Sequence, residues 1–202
     1  NLGNAFKEIK NYKMALQVYS DALKINPNDF NIYNNIGIVF ELIGENNKAI
    51  EAYKQAVRVN PNYAKAVNNI AVVLYKQKRY KESAQIFEIA LQVDENYFEV
   101  YSNKGAAYNK AKEYDKAIES LEMAILKMPN HGGAYTNLGN VYNKLFDYKT
   151  AAKMHEKSIE LEPNGSNAHS NLGTSYKYLG LSDKAIISYK KAIELDPNFV
   201  NA

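Results

Sequence analysis

The sequence predicts an all-α solenoid of antiparallel helix pairs, and three observations point there. Proline stands at Pro27, Pro61, Pro129, Pro163 and Pro197, with Glu95 on the missing beat, so every step is 34 residues. Small residues share that grid in three columns: Gly3, Gly37, Ala71, Gly105, Gly139 and Gly173; Ala15, Ala49, Ser83, Ala117, Ala151 and Ala185; Ala22, Ala56, Ala90, Ala124, Ser158 and Ala192. A large side chain follows the first column by three residues, at Phe6, Phe40, Leu74, Tyr108, Tyr142 and Tyr176. A fixed period kept along a whole chain marks a repeat array.

The copy at 30–63 shows the elements of one repeat in order. "NIYNNIGIVFELI" carries apolar residues at helical spacing and reads as a first helix, which "GENN" breaks. "KAIEAYKQAVRV" reads as a second helix, and "NPN" ends it. The small columns let the two helices approach closely, while the aromatics fill the space beside them. One pair cannot bury its own apolar face, so successive pairs must stack. The grid divides the chain, read as a single solenoid over 1–202, into a truncated repeat 1–29 and full repeats 30–63, 64–97, 98–131, 132–165 and 166–199. Residues 200–202 begin a further one. Lys104, where leucine is expected, predicts looser packing in repeat 98–131.

Two columns are asparagine in all six copies. Asn28, Asn62, Asn96, Asn130, Asn164 and Asn198 follow the proline beat, where a tight turn and asparagine's tolerance of left-handed backbone explain them. Asn1, Asn35, Asn69, Asn103, Asn137 and Asn171 lie inside the first helix, where turn chemistry explains nothing. In repeat 132–165 the core stripe is Tyr135, Leu138, Gly139 and Tyr142. At 100° per residue, Gly133, Asn137, Asn140 and Lys144 fall within about 60° of one another on the opposite side.

Composition removes several function classes. Net charge is +3, with only Arg58 and Arg79 as arginines, so no basic face calls for nucleic acid. Zero cysteines exclude disulfides, thiolate metal sites and cysteine catalysis. No apolar run approaches the roughly 20 residues of a membrane span. His131 falls in an inter-repeat loop, and His155 and His169 in core aromatic columns, so no catalytic or metal-binding constellation is legible and no cofactor is expected. A cytoplasmic setting is the expectation, although the chain opens on Asn1 rather than methionine and any upstream targeting signal lies beyond view.

These columns resemble the 34-residue pattern of the tetratricopeptide-repeat (TPR) family, over the whole chain. The family's first-position tryptophan is replaced by Tyr33, Val67, Tyr101, Tyr135 and His169. The resemblance implies a right-handed superhelix whose first helices line a concave groove, and a non-catalytic protein–protein interaction scaffold. On that reading the peptide-binding candidates are the rungs Asn35, Asn69, Asn103, Asn137 and Asn171, with Asn4, Asn140, Lys65, Lys76, Lys110, Lys144 and Tyr178. Tyr75 falls near the same face, and Ile38, Leu42 and Val72 form an apolar patch on it.

Each asparagine offers a donor and an acceptor, which matches the alternating groups of an extended peptide backbone. The ladder is similar to that of the superhelical repeat region of O-GlcNAc transferase. The competing explanation is structural, with amides bonded between adjacent helices. The family's carboxylate clamp fits less well: Asn4, Asn35 and Lys65 match, but Asn69 stands where arginine is expected. The consecutive lysines Lys76, Lys110 and Lys144 favour an acidic ligand. Two alternatives remain: a self-assembling array joined end to end through Ile186, Tyr189 and Ile193, and the substrate-selecting arm of a larger enzyme.

Overall fold

The computed structural model describes residues 2–198, which form twelve α-helices and no strand. Each repeat supplies a first and a second helix: α1 (Leu2–Glu8) and α2 (Tyr12–Ile25), α3 (Phe30–Leu42) and α4 (Asn46–Val59), α5 (Ala64–Lys76) and α6 (Tyr80–Val93). They continue with α7 (Glu99–Lys110) and α8 (Tyr114–Lys127), α9 (Gly132–Lys144) and α10 (Tyr148–Leu161), α11 (Ser166–Tyr178) and α12 (Ser182–Leu195). Asn1 of the asparagine column and the expected start of a further repeat at 200–202 lie outside the described residues.

The described residues divide into two compact bodies, one ending at Val100 and the other starting at Tyr101. In the first, α1 to α6 pack in chain order. In the second, α8 to α12 do the same, and the first helices α9 and α11 also touch.

Every first helix ends the same way. The middle residue of the turn is left-handed in all six copies: Lys10 (φ 60°), Gly44 (82°), Lys78 (62°), Lys112 (63°), Phe146 (63°) and Gly180 (75°). The next residue donates its N–H five residues back, as from Asn11 to Phe6 at 2.8 Å, Arg79 to Leu74 at 3.0 Å and Leu181 to Tyr176 at 2.9 Å. This closure satisfies carbonyls that the helix end would otherwise orphan. Only two of the six residues are glycine, so four side chains hold the conformation at a cost of about 1 kcal/mol each.

Between repeats the turn works differently. The backbone N–H groups of Asn28, Asn62, Asn96 and Asn198 bond the side-chain oxygens of Asn26, Asn60, Asp94 and Asp196, at 3.3, 3.1, 2.9 and 3.1 Å. None of the left-handed residues lies in this column, so asparagine's tolerance of that conformation is not what the turn uses. In these four turns the residue two before the asparagine organises the turn instead.

The glycine column has a packing reason. A Cβ on Gly139 would come within 2.5 Å of the His155 ring, and one on Gly173 within 2.8 Å of Tyr189. Gly3, Gly37 and Gly105 meet Tyr19, Tyr53 and Leu121 in the same way. The second helix thus lays one large side chain on the backbone of the first, buried at Tyr19, Tyr53, Leu121 and His155 and half-buried at Tyr189. Where Ser83 replaces alanine in its small column, its hydroxyl donates to the Ala71 carbonyl at 2.7 Å and is satisfied. Lys104 is half-buried with its ammonium 5.9 Å from the Tyr101 ring centroid, so its aliphatic stem takes up space expected for leucine.

Candidate functional site

The asparagine rungs sit on the first helices. Asn35, Asn69, Asn137 and Asn171 are half-buried and Asn103 is exposed. Two rungs reach back to the preceding repeat: Asn69 Nδ2 donates to Asn34 Oδ1 at 3.0 Å, and Asn137 Nδ2 to Ser102 Oγ at 3.2 Å. The acceptors belong to a second polar column, Asn34, Asn68, Ser102, Thr136 and Ser170, one residue before each rung. Asn34 is only 2% exposed and Ser102 3%.

Sequence reasoning passed over that column. Its signal was a polar residue in every full copy beside the core stripe, masked by the more uniform asparagines next to it. The amides therefore do structural work at two rungs. An asparagine amide carries two donors and two lone pairs, so one inter-repeat bond leaves capacity on each rung while holding its orientation.

The junction of repeats 30–63 and 64–97 gathers most of the candidate chemistry. A cavity of about 280 Å³ is lined by Ile38, Glu41, Leu42, Tyr53, Lys65, Asn69, Val72 and Lys76. The apolar patch, one rung and two of the candidate lysines meet there. The Tyr53 hydroxyl donates to Glu41 Oε2 at 3.1 Å, and the other Glu41 oxygen pairs with Lys76. Burial and the neighbouring Glu41 charge push the Tyr53 phenol up, so it stays a neutral donor.

The remaining candidates scatter. Asn4 accepts from the Tyr19 hydroxyl at 2.5 Å and is occupied by the core. Asn140 is half-buried, and Lys110 and Lys144 are exposed. Tyr178 is 59% exposed and stacks on Tyr148, with centroids 4.5 Å apart and planes 9° apart. Tyr75 stands edge-on to Tyr80 at 5.2 Å.

His155 is buried as expected, and it heads a polar network that links two repeats. Its Nε2 lies 3.3 Å from Asn143 Nδ2, and Asn143 Oδ1 accepts from Ser175 Oγ at 2.9 Å. Burial lowers the imidazolium from 6.5 to about 4, keeping the ring neutral near pH 7. His169 bonds the Pro163 carbonyl at 2.9 Å. Among the described residues no group of histidines and carboxylates could hold a metal ion, and no helix is long and apolar enough to cross a membrane.

Family models described as TPR repeat match residues 3–44 and 42–78, and models described as tetratricopeptide repeat match 64–93, 98–131, 132–164 and 166–199. No curated protein matches the sequence. Among solved structures, a crystal structure of MamA protein is 27% identical, with a TM-score of 0.71 over 83% of this chain and 92% of that one. The Pseudomonas aeruginosa protein pilF is 23% identical, with a TM-score of 0.81 over 99% and 91% of the two chains. PilW, titled a type IV pilus biogenesis factor, is 22% identical, with a TM-score of 0.82 over 100% and 92%. At such identities these likenesses speak for the fold, and with a 34-residue grid, paired helices and family matches in every repeat, the chain belongs to the tetratricopeptide-repeat family.

Proposed function

We propose that this chain is a non-catalytic interaction scaffold, with its six repeats forming one array that holds an extended peptide segment along the faces of its first helices. The observation that carries the reading is the 280 Å³ junction cavity, where Asn69, Lys65 and Lys76 meet Ile38, Leu42 and Val72. An extended peptide needs backbone partners, an apolar seat and charge to set its direction, and this junction offers all three. The bonds from Asn69 to Asn34 and from Asn137 to Ser102 support the same reading, because a rung already oriented loses less freedom when ligand arrives. The lysines make acidic segments the better ligands, in a cytoplasmic setting. One crystal structure of similar fold, YrrB, is titled a TPR protein with an unusual peptide-binding site.

The test is a fluorescence-anisotropy titration with labelled acidic and basic peptides of equal length. Replacing the rungs Asn103 and Asn171 by alanine is expected to weaken acidic-peptide binding about tenfold, or about 1.4 kcal/mol. Helical content should be unchanged, since alanine is the better helix former. Equal affinity of wild type and variant for every peptide would remove the ladder from the mechanism.

A second reading, association of copies, is favoured by α12, where Ile186 is 51% and Ile193 46% exposed. It expects mass in light scattering to rise with concentration and to stop rising in Ile186→Lys; a constant monomer mass in wild type would end it.

A further inference from the structure

The repeat grid makes each copy a control for the others, and one column varies in a way the consensus does not require. Its members are Val18, Ala52, Ile86, Ser120, Met154 and Ser188, so bulk alternates with smallness along the chain. Beside two of the small members a cavity opens on the flank of the helix pair. In repeat 30–63 it measures about 470 Å³ and includes Tyr33, Ile36, Phe40, Lys48, Glu51, Ala52 and Gln55 in its lining. In repeat 166–199 it measures about 370 Å³, and the same seven columns return as His169, Leu172, Tyr176, Lys184, Ile187, Ser188 and Lys191, joined by Ile159.

The geometry is shared, but the chemistry is not. Glu51 and Gln55 become Ile187 and Lys191, so the second lining has no carboxylate and gains a cation. Lys48 has an ion-pair partner one turn back, Glu45, at 3.3 Å. The equivalent of Glu45 is Leu181, so Lys184 lacks that acid and lies 5.5 Å from the Tyr176 ring centroid. Lys191 pairs with Glu194 at 2.9 Å, an exposed contact that a ligand exchanges at little cost. The Tyr176 hydroxyl is committed to Glu156 at 2.5 Å, so the ring face is what the cavity offers.

We propose that this flank of repeat 166–199 is a second docking site, separate from the groove face. Its occupant is a protein segment that seats an aliphatic or aromatic side chain between Leu172, Tyr176, Ile187 and Ile159 while a neighbouring carboxylate meets Lys184. The commitment to an acidic-apolar segment rests on charge complementarity: the lining holds Lys184 and Lys191 and no carboxylate, the neighbouring acids Glu156 and Glu194 being engaged by Tyr176 and Lys191, whereas its counterpart in repeat 30–63 carries a lysine and a glutamate together. Both cavities open beside small members of the column, Ala52 and Ser188, and the matching residue one repeat before the second is the larger Met154.

The probe is the N-acetylated peptide Gly-Ser-Phe-Asp-Glu-Ser-Gly, titrated into the full chain and read by amide shifts in two-dimensional NMR. Saturable shifts are expected at Leu172, Tyr176 and Ile187. The Phe-Asn-Gln analogue and the Ala-Asp-Glu analogue should each bind about tenfold more weakly. Ser188→Met, which copies residue 154 into the cavity, should abolish the flank shifts. Lys184→Ala, at an exposed position, should weaken binding by a similar factor even if Ser188→Met repacks the helix pair. Absence of flank shifts, equal binding by the Asn-Gln analogue, or unchanged binding in both variants overturns the site. Shifts confined to first-helix asparagines would overturn it while leaving the groove reading in place.

Discussion

Replacing His155 by tyrosine should make the protein more resistant to acid. The ring is fully buried, with its Nδ1 among the buried atoms that have no hydrogen-bond partner. Its column holds tyrosine against Gly3 and Gly37, and Gly139 presents the same bare backbone to His155, so the larger ring has a precedent in this fold. The folded imidazole titrates at about 4 against 6.5 for a free one. Between those values the unfolded chain binds the proton and the folded chain does not, so acid favours unfolding.

Stability from this residue is full above pH 6.5, drains as pH falls towards 4, and levels off below. At about 1.4 kcal/mol per pH unit the whole effect is about 3 kcal/mol, of which about 2.5 is spent by pH 4.5. Carboxylates also titrate in that range, but they do so in both proteins and cancel in the difference. Urea denaturation of wild type and His155→Tyr at about pH 7.5 and pH 4.5 measures it. The stability gap should move by about 2.5 kcal/mol in favour of tyrosine on acidification. A gap that stays constant would mean the buried imidazole takes up its proton without penalty, and the account of its burial would be wrong.

Two other outcomes follow from the ladder and the lysines. Asn69→Ala or Asn137→Ala leaves Asn34 or Ser102 buried without its partner, so each should cost about 1–3 kcal/mol in urea denaturation, whereas the exposed rung in Asn103→Ala should cost under about 0.5. Equal stability of all three would show that the inter-repeat bonds carry no net energy. Lys110→Ala should lower acidic-peptide affinity at low salt and have little effect at high salt, read by the same anisotropy titration; a salt-independent loss would mean that the lysine acts by shape rather than charge.

The period, the paired helices and the glycine–aromatic contacts were legible because they depend on residue size repeated on a grid, as Gly139 and His155 show. The left-handed turns were only partly legible. Gly44 and Gly180 announce them, but Lys10, Lys78, Lys112 and Phe146 do not, since the helix closure imposes the conformation on whatever residue stands there. The asparagine rungs were found by their uniformity, yet that Asn69 and Asn137 bond buried polar residues of the preceding repeat could not be read from it. The flank cavity was illegible for the opposite reason: it arises where copies differ, at Ala52 and Ser188, and a search for shared residues looks past it.

The reach of the side-chain bonds sets how this chain would respond to being pulled. Among the described residues the inter-repeat hydrogen bonds from Asn69 to Asn34 and from Asn137 to Ser102 span 35 positions, barely more than one repeat. Tension applied along the polypeptide is therefore resisted locally, and among the described residues no strand shares the load. Extension should yield in quanta of one repeat, each releasing roughly 110–120 Å of chain at 3.3–3.6 Å per residue. Relaxation should rebuild the same quanta from contacts already close in sequence. Such a molecule is a spring with discrete stops, and its grid of prolines marks where the stops fall.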